Sequence, residues 1–187
     1  MVKSEFWQSP LAALFDRFPA GLDEVYAASQ INLRGNPEDP KFLEDVEKIL
    51  GFALPLTPNT TATNGVSKIL WLGPDEWLIV LVKAAEDIVQ KLNGLSDAHH
   101  VSVVDVGANR VVVELKGPHC IDVLMKSCEM DFHASVSGPG QVVQTLLAKS
   151  QAIIERVEEE HFHIYIRNSF AHYVVEWLID AYQEFES

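Results

Sequence analysis

His161 and His163 are the two side chains whose spacing best suits metal binding. They lie two residues apart at the edge of a predicted strand, so both point to the same face of it. Imidazole is a common zinc ligand, but a site needs a third ligand, and the nearest carboxylates in sequence are Glu158, Glu159 and Glu160. A solvated hairpin turn explains the same residues. We therefore assign no metal site.

Catalytic motifs are absent from the rest of the sequence. It contains no G-x-x-x-x-G-K-[ST] phosphate loop, no G-x-S-x-G nucleophile elbow and no H-E-x-x-H zinc motif. The acidic pair Asp75 and Glu76 lies in a turn, where such residues occur without any catalytic role. We assign no catalytic residue and no cofactor-binding residue to this chain.

The two cysteines, Cys120 and Cys128, are eight residues apart in one predicted helix. That separation is about 12 Å along a helix axis, whereas a disulfide needs Cα atoms within about 7 Å. We expect both to be buried, reduced thiols.

Composition excludes several classes of protein. The chain has 187 residues, with 27 acidic and 14 basic side chains and a net charge of −13. Nucleic-acid binding requires clustered Lys and Arg, which are scattered here, and no apolar run is long enough to span a membrane. We expect a cytoplasmic globular protein that binds neither nucleic acid nor membrane.

Periodicity predicts a short N-terminal helical arm over 9–18, followed by two similar halves over 22–95 and 99–185. Each half contains a strand, a glycine, a proline-initiated helix, a polar loop, further strands and a helix, beginning with a strand at Val25–Arg34 in the first half. The last helix is predicted to bury Phe170, Tyr173 and Trp177 with their apolar neighbours. We therefore expect an α+β fold, a single domain over 1–187 that contains a duplicated, mixed or antiparallel sheet with helices.

Two apolar groups are candidates for a partner interface. The first is the stripe of the N-terminal arm and the second is a pair of tryptophans that flank a turn, and their residues are Leu11, Leu14, Phe15, Phe18, Trp71 and Trp77. Core packing is the alternative for the tryptophans, because aromatic residues are common both in cores and in interface hot spots.

The segment LWLGPDEWLIV at 70–80 resembles the gamma subunit family of heterotetrameric sarcosine oxidases. The resemblance continues in the family's order over nearly the whole chain, through ALPLTPNT at 53–60, VDVGANR at 104–110, LKGPH at 115–119, DFH at 131–133, QTLLA at 144–148, RNSFA at 167–171 and WL at 177–178.

This resemblance implies a fold like the folate-binding domain of the glycine-cleavage T-protein and a non-catalytic structural role beside alpha, beta and delta subunits, mainly alpha. The complex would oxidise sarcosine to glycine with hydrogen peroxide, releasing formaldehyde or methylene-tetrahydrofolate. FAD, FMN, NAD and folate would belong to the partner subunits, with none in this chain.

A stand-alone T-protein-like domain that binds folate or another one-carbon carrier is the alternative. T-proteins usually carry a Gly-Gly…Asp-Asp pattern where this chain has SQAIIER at 150–156. The glycines that would let a ligand approach the backbone are missing, and Glu155 is the only acidic residue there, beside Arg156. This departure argues against a folate site.

Overall fold

The computed structural model describes residues 8–27, 29–81 and 86–185. Within them the chain forms ten strands and four α-helices: β1 (Leu22–Val25), β2 (Ser29–Arg34), α1 (Pro40–Leu50), β3 (Thr61–Thr63), β4 (Ser67–Gly73), β5 (Glu76–Leu81), α2 (Glu86–Gly94), β6 (Ser102–Asp105), β7 (Arg110–Lys116), α3 (Cys120–Ser127), β8 (Gln141–Leu147), β9 (Ser150–Glu158), β10 (His161–Arg167) and α4 (Asn168–Tyr182). Short 3-10 helices occur at Ala12–Arg17, Leu95–Asp97 and Gln183–Phe185.

The chain divides into two compact units, whereas the sequence predicts one domain that contains a repeat. Among the described residues, the first unit covers those within 27–108, and the second covers 8–26 and 109–185. Each unit has one five-stranded sheet, in the order β3-β4-β5-β2-β6 and β1-β7-β10-β9-β8 respectively. All pairings in both sheets are antiparallel, as expected for an α+β fold.

The two sheet orders are the same except that the halves exchange one strand. In the predicted repeat, β3, β4, β5 and β2 correspond to β8, β9, β10 and β7. The fifth strand in each sheet comes from the other half: β6 pairs with β2, and β1 pairs with β7. The predicted strand at Val25–Arg34 is therefore two strands that belong to different sheets, and the predicted repeats at 22–95 and 99–185 each give one strand to the other unit.

Local signals in the sequence set the ends of α1. Asp39 accepts a hydrogen bond from the Lys41 amide at 3.0 Å, and Pro40 occupies the first helical position. Gly51 ends the helix in the left-handed region, at φ 84°, with its amide bonded to the Glu47 carbonyl. The buried side chains of α1 pack on one face of the first unit's sheet, and they are Phe42, Val46 and Leu50.

The N-terminal arm is a 3-10 helix at Ala12–Arg17 and not the α-helix predicted over 9–18. A helix with three residues per turn places Leu11 and Leu14 in one row and Phe15 and Phe18 in the next. Leu11 and Leu14 are accordingly buried in the core of the second unit, Phe18 packs partly against it, and Phe15 is 45% exposed.

Candidate functional site

One face of the second unit's sheet carries a row of polar side chains on β7, β10 and β9. Glu114 on β7 lies directly opposite His163 on β10, and His163 in turn lies opposite Glu155 on β9. His161 lies two residues before His163 and points to the same face, as the sequence predicts. The antiparallel register therefore brings together charged groups that are far apart in sequence.

Glu114, His161 and His163 form a compact cluster. Their potential metal-ligating atoms all lie within 4.8 Å of one another, and the three residues are half-buried. His161 Nε2 is 3.1 Å from Glu114 Oε2, and Lys116 Nζ is 2.5 Å from the other oxygen, Oε1. The third member of the cluster thus comes from the neighbouring strand β7, and not from the sequence-adjacent Glu158, Glu159 or Glu160.

The ionisation of the cluster follows from these contacts. Burial opposes a negative charge on Glu114, but its bonds to Lys116 and His161 outweigh burial and lower its pKa. Burial of His161, assisted by the neighbouring His163, lowers the pKa of His161, and Glu114 opposes this shift only in part. A carboxylate therefore lies beside a histidine that favours its neutral form, which is the form that ligates metals.

Behind the cluster, Glu155 connects His163 to Tyr165. Glu155 is 3% exposed, accepts a hydrogen bond from the Tyr165 hydroxyl at 2.9 Å, and lies 3.6 Å from His163 Nδ1. Burial, and then the charge of Glu155, raise the pKa of Tyr165 well above its ordinary value, so the hydroxyl stays protonated and donates. The Glu155 carboxylate therefore contacts both Tyr165 and His163 and orients these two side chains.

Arg156, beside Glu155 in sequence, points to the opposite face of the sheet. It is 3% exposed and donates to the backbone carbonyls of Phe132 at 3.0 Å and Ser137 in the loop between α3 and β8, and to those of Glu158 at 3.4 Å and Glu159 at 2.6 Å at the turn between β9 and β10. The bonds to Phe132 and Ser137 hold the loop between α3 and β8 against the sheet. Both charged residues of the segment at 150–156, Glu155 and Arg156, therefore have internal structural roles.

A second polar feature of this unit is an open pocket of about 440 Å³. Arg110 and Arg167, which lie opposite each other on β7 and β10, line it together with Gln144, Gln151 and Tyr165. Two guanidinium groups make this pocket locally positive in a chain whose net charge is −13.

Three of the six predicted interface residues are buried inside the chain itself. Leu11 and Leu14 lie in the second unit's core, and Trp77 is fully buried in the first, where its Nε1 donates to the Pro55 carbonyl at 2.8 Å. They cannot form a surface on the folded chain. Phe15 is exposed, while Phe18 and Trp71 are half-buried, so these three remain candidates.

A more exposed aromatic surface lies on α4, and it was not predicted from the sequence. We call it the α4 aromatic stripe, and its residues are Phe170, Tyr173 and Trp177. They are 47%, 38% and 41% exposed, although the helix was predicted to bury them. α4 is apolar around more than one face, and a neighbouring row led by Ala171, Val174 and Leu178 fills the core instead. The spacing of the stripe, i, i+3 and i+7, is itself a sequence signal for one helix face.

The predictions for the cysteines are confirmed. Cys120 and Cys128 are free and buried. Desolvation raises the pKa of Cys120 to about 11, which makes it an unreactive thiol.

None of the helices in the described ranges is long and apolar enough to cross a membrane.

Comparisons with known proteins agree with one another. Residues 34–184 match the model of the sarcosine oxidase gamma subunit family. The chain is 36% identical over 168 residues to a sarcosine oxidase subunit gamma from Corynebacterium sp. (strain P-1), covering 89% of this chain and 81% of that protein. It is 34% identical over 171 residues to one from Arthrobacter sp., covering 89% and 81%.

Solved structures give the same result. A chain of the heterotetrameric sarcosine oxidase from Corynebacterium sp. U-96, solved with pyrrole 2-carboxylate, superposes with a TM-score of 0.89 at 31% identity, covering 97% of both chains. The aminomethyltransferase T of the glycine cleavage system from Bartonella henselae superposes with a TM-score of 0.62 at 19% identity, covering 85% of this chain and 45% of that one. The second likeness concerns the fold alone, and it confirms the T-protein-like fold.

Proposed function

The chain belongs to the sarcosine oxidase gamma subunit family, and from this we propose that it is the non-catalytic gamma subunit of a heterotetrameric sarcosine oxidase. The single observation that carries the proposal is the superposition on a chain of such a complex over 97% of both chains, with a TM-score of 0.89. The likeness therefore extends over nearly the whole of both chains.

We further propose that the cofactors and the catalytic reaction belong to the partner subunits. FAD, FMN, NAD and folate bind to the partner subunits, which oxidise sarcosine to glycine with hydrogen peroxide and release formaldehyde or methylene-tetrahydrofolate. One observation on this chain supports the proposal: Glu155 and Arg156, the two charged residues of the segment at 150–156, form hydrogen bonds within the chain. The gamma subunit then contributes to assembly and to the stability of its partner, in the cytoplasm.

We assign the α4 aromatic stripe as the surface that docks on the alpha subunit. Large aromatic side chains exposed in one row are unusual on a monomer and typical of interface hot spots. The 3-10 helix of the N-terminal arm lies beside α4, joined to it by the Arg17–Glu176 ion pair at 2.8 Å. Phe15 is exposed on that helix, and we include it in the proposed surface.

Reconstitution with and without this chain tests the proposal. The alpha, beta and delta homologues are co-expressed in both forms, and size-exclusion chromatography is combined with a sarcosine-dependent peroxide assay. We expect an active complex that contains this chain, and a loss of assembly or stability when it is omitted. An intact and equally stable active complex without it would contradict the proposal.

The isolated chain provides the second arm of this test. Calorimetry with tetrahydrofolate should give no binding heat, because folate is assigned to a partner subunit. Stoichiometric uptake by a chain that elutes alone would instead establish the small-molecule binding domain.

A further inference from the structure

The cluster of Glu114, His161 and His163 has no part in the docking role, yet its composition is that of a metal site. Two imidazoles and one carboxylate form a donor set found for zinc and for other divalent transition metals. We propose that these three side chains bind one divalent transition-metal ion, with zinc as the preferred ion and solvent in the remaining coordination position.

The distances require only small side-chain movements. Zinc bonds of about 2.0–2.2 Å place tetrahedral donors about 3.3 Å apart. His161 Nε2 and Glu114 Oε2 are already separated by 3.1 Å, and the most distant pair among the donors lies within 4.8 Å. Rotation about the terminal side-chain torsions, which are soft, closes the difference of about 1.5 Å without movement of the strands.

The surroundings supply the outer support that metal-bound histidines usually have. Glu155 faces Nδ1 of His163 at 3.6 Å and is itself held by the Tyr165 hydroxyl. A carboxylate behind a ligating histidine fixes the ring and strengthens it as a ligand.

Lys116 opposes a cation at this cluster. Its ammonium pairs with Glu114 Oε1, whereas Oε2 is the oxygen beside His161. The lysine side chain is 48% exposed, so it can move toward solvent when an ion binds. Because Lys116 carries a positive charge beside the ligand Glu114, we expect that removal of Lys116 strengthens metal binding.

The experiment titrates the metal-free, untagged full-length chain with Zn²⁺ by calorimetry and with Co²⁺ by visible absorption. We expect one ion per chain. H163A and E114Q should each weaken binding by more than the roughly 10–100-fold typical of outer supporting residues. K116A should bind up to about tenfold more tightly, because it removes a positive charge next to a doubly charged ion.

His172→Ala is the matched control. His172 Nδ1 lies 3.6 Å from Glu176 Oε2 on the surface of α4, and the described part of the chain offers this histidine–glutamate pair no third ligand, so H172A should bind like the wild type. Circular dichroism confirms that each variant is folded, and E114Q keeps the shape of the side chain it replaces. The proposal is overturned if the wild type takes up no stoichiometric ion, or if H163A and E114Q bind as tightly as H172A.

Discussion

Replacing Phe170 and Tyr173 together by alanine tests the assignment of the α4 aromatic stripe as the docking surface. The two side chains are 47% and 38% exposed in the isolated chain. An aromatic side chain presents about 150–250 Å², so the pair leaves about 170 Å² for a partner to cover. At about 25 cal/mol per Å² this area contributes at most about 4 kcal/mol, an upper limit of roughly a 1,000-fold change in dissociation constant, because ordering of the interface offsets part of it.

The assay is surface-immobilised binding of the chain to a complex of the other three subunits. The matched control is L56A/V66A, which removes two side chains of similar exposure, 52% and 54%, from the first unit. We expect F170A/Y173A to lose affinity by about 100- to 1,000-fold and the control to stay within about threefold of the wild type. Thermal melting shows that both variants are folded. Equal binding by the two double variants would refute the assignment of this surface.

Three further predictions concern stability and reactivity. Arg156→Met removes a buried donor to four backbone carbonyls, so it should lower the free energy of unfolding by about 3 kcal/mol or more in urea titrations and speed hydrogen exchange over 129–140. Burial raises the pKa of Cys120 to about 11, so its thiol should resist alkylation at pH 8 in the folded chain and react on unfolding; labelling of the native chain would contradict this. The bond to His99 lowers the pKa of Asp45 against the opposing effect of burial, with Lys48 assisting. The ionised Asp45 therefore stabilises the fold at pH values above the pKa of an unfolded Asp, about 3.9, and this stabilisation is lost as the pH falls through the lower pKa of the folded state. In Asp45→Asn the urea midpoint should accordingly fall less between about pH 5 and about pH 3 than it does in the wild type.

Short-range features of the fold were predictable from the sequence because short-range physics determines them. The cap at Asp39, the proline at the first position of α1 and the glycine at its end act within a few residues. The corresponding order of elements in the two halves is likewise visible along the chain. The exchange of β1 and β6 between the units is not visible in the sequence. Strand pairing is a long-range interaction, and an extended segment has the same sequence pattern whichever sheet it joins.

The difference between short-range and long-range interactions also explains which residues of the candidate sites could be predicted from the sequence. The spacing of His161 and His163 identifies a shared face, but Glu114 joins them only through the register of β7 on β10. On α4, the sequence contains two adjacent apolar rows, and only packing decides that Val174 turns inward while Tyr173 stays exposed.

Native mass spectrometry of the complex purified through a tag on this chain measures directly whether the chain is the gamma subunit of a heterotetramer. We expect one copy of this chain together with one copy each of the alpha, beta and delta subunits, in a particle that oxidises sarcosine. Recovery of this chain alone, or only with copies of itself, while the other three subunits form the active enzyme would contradict it.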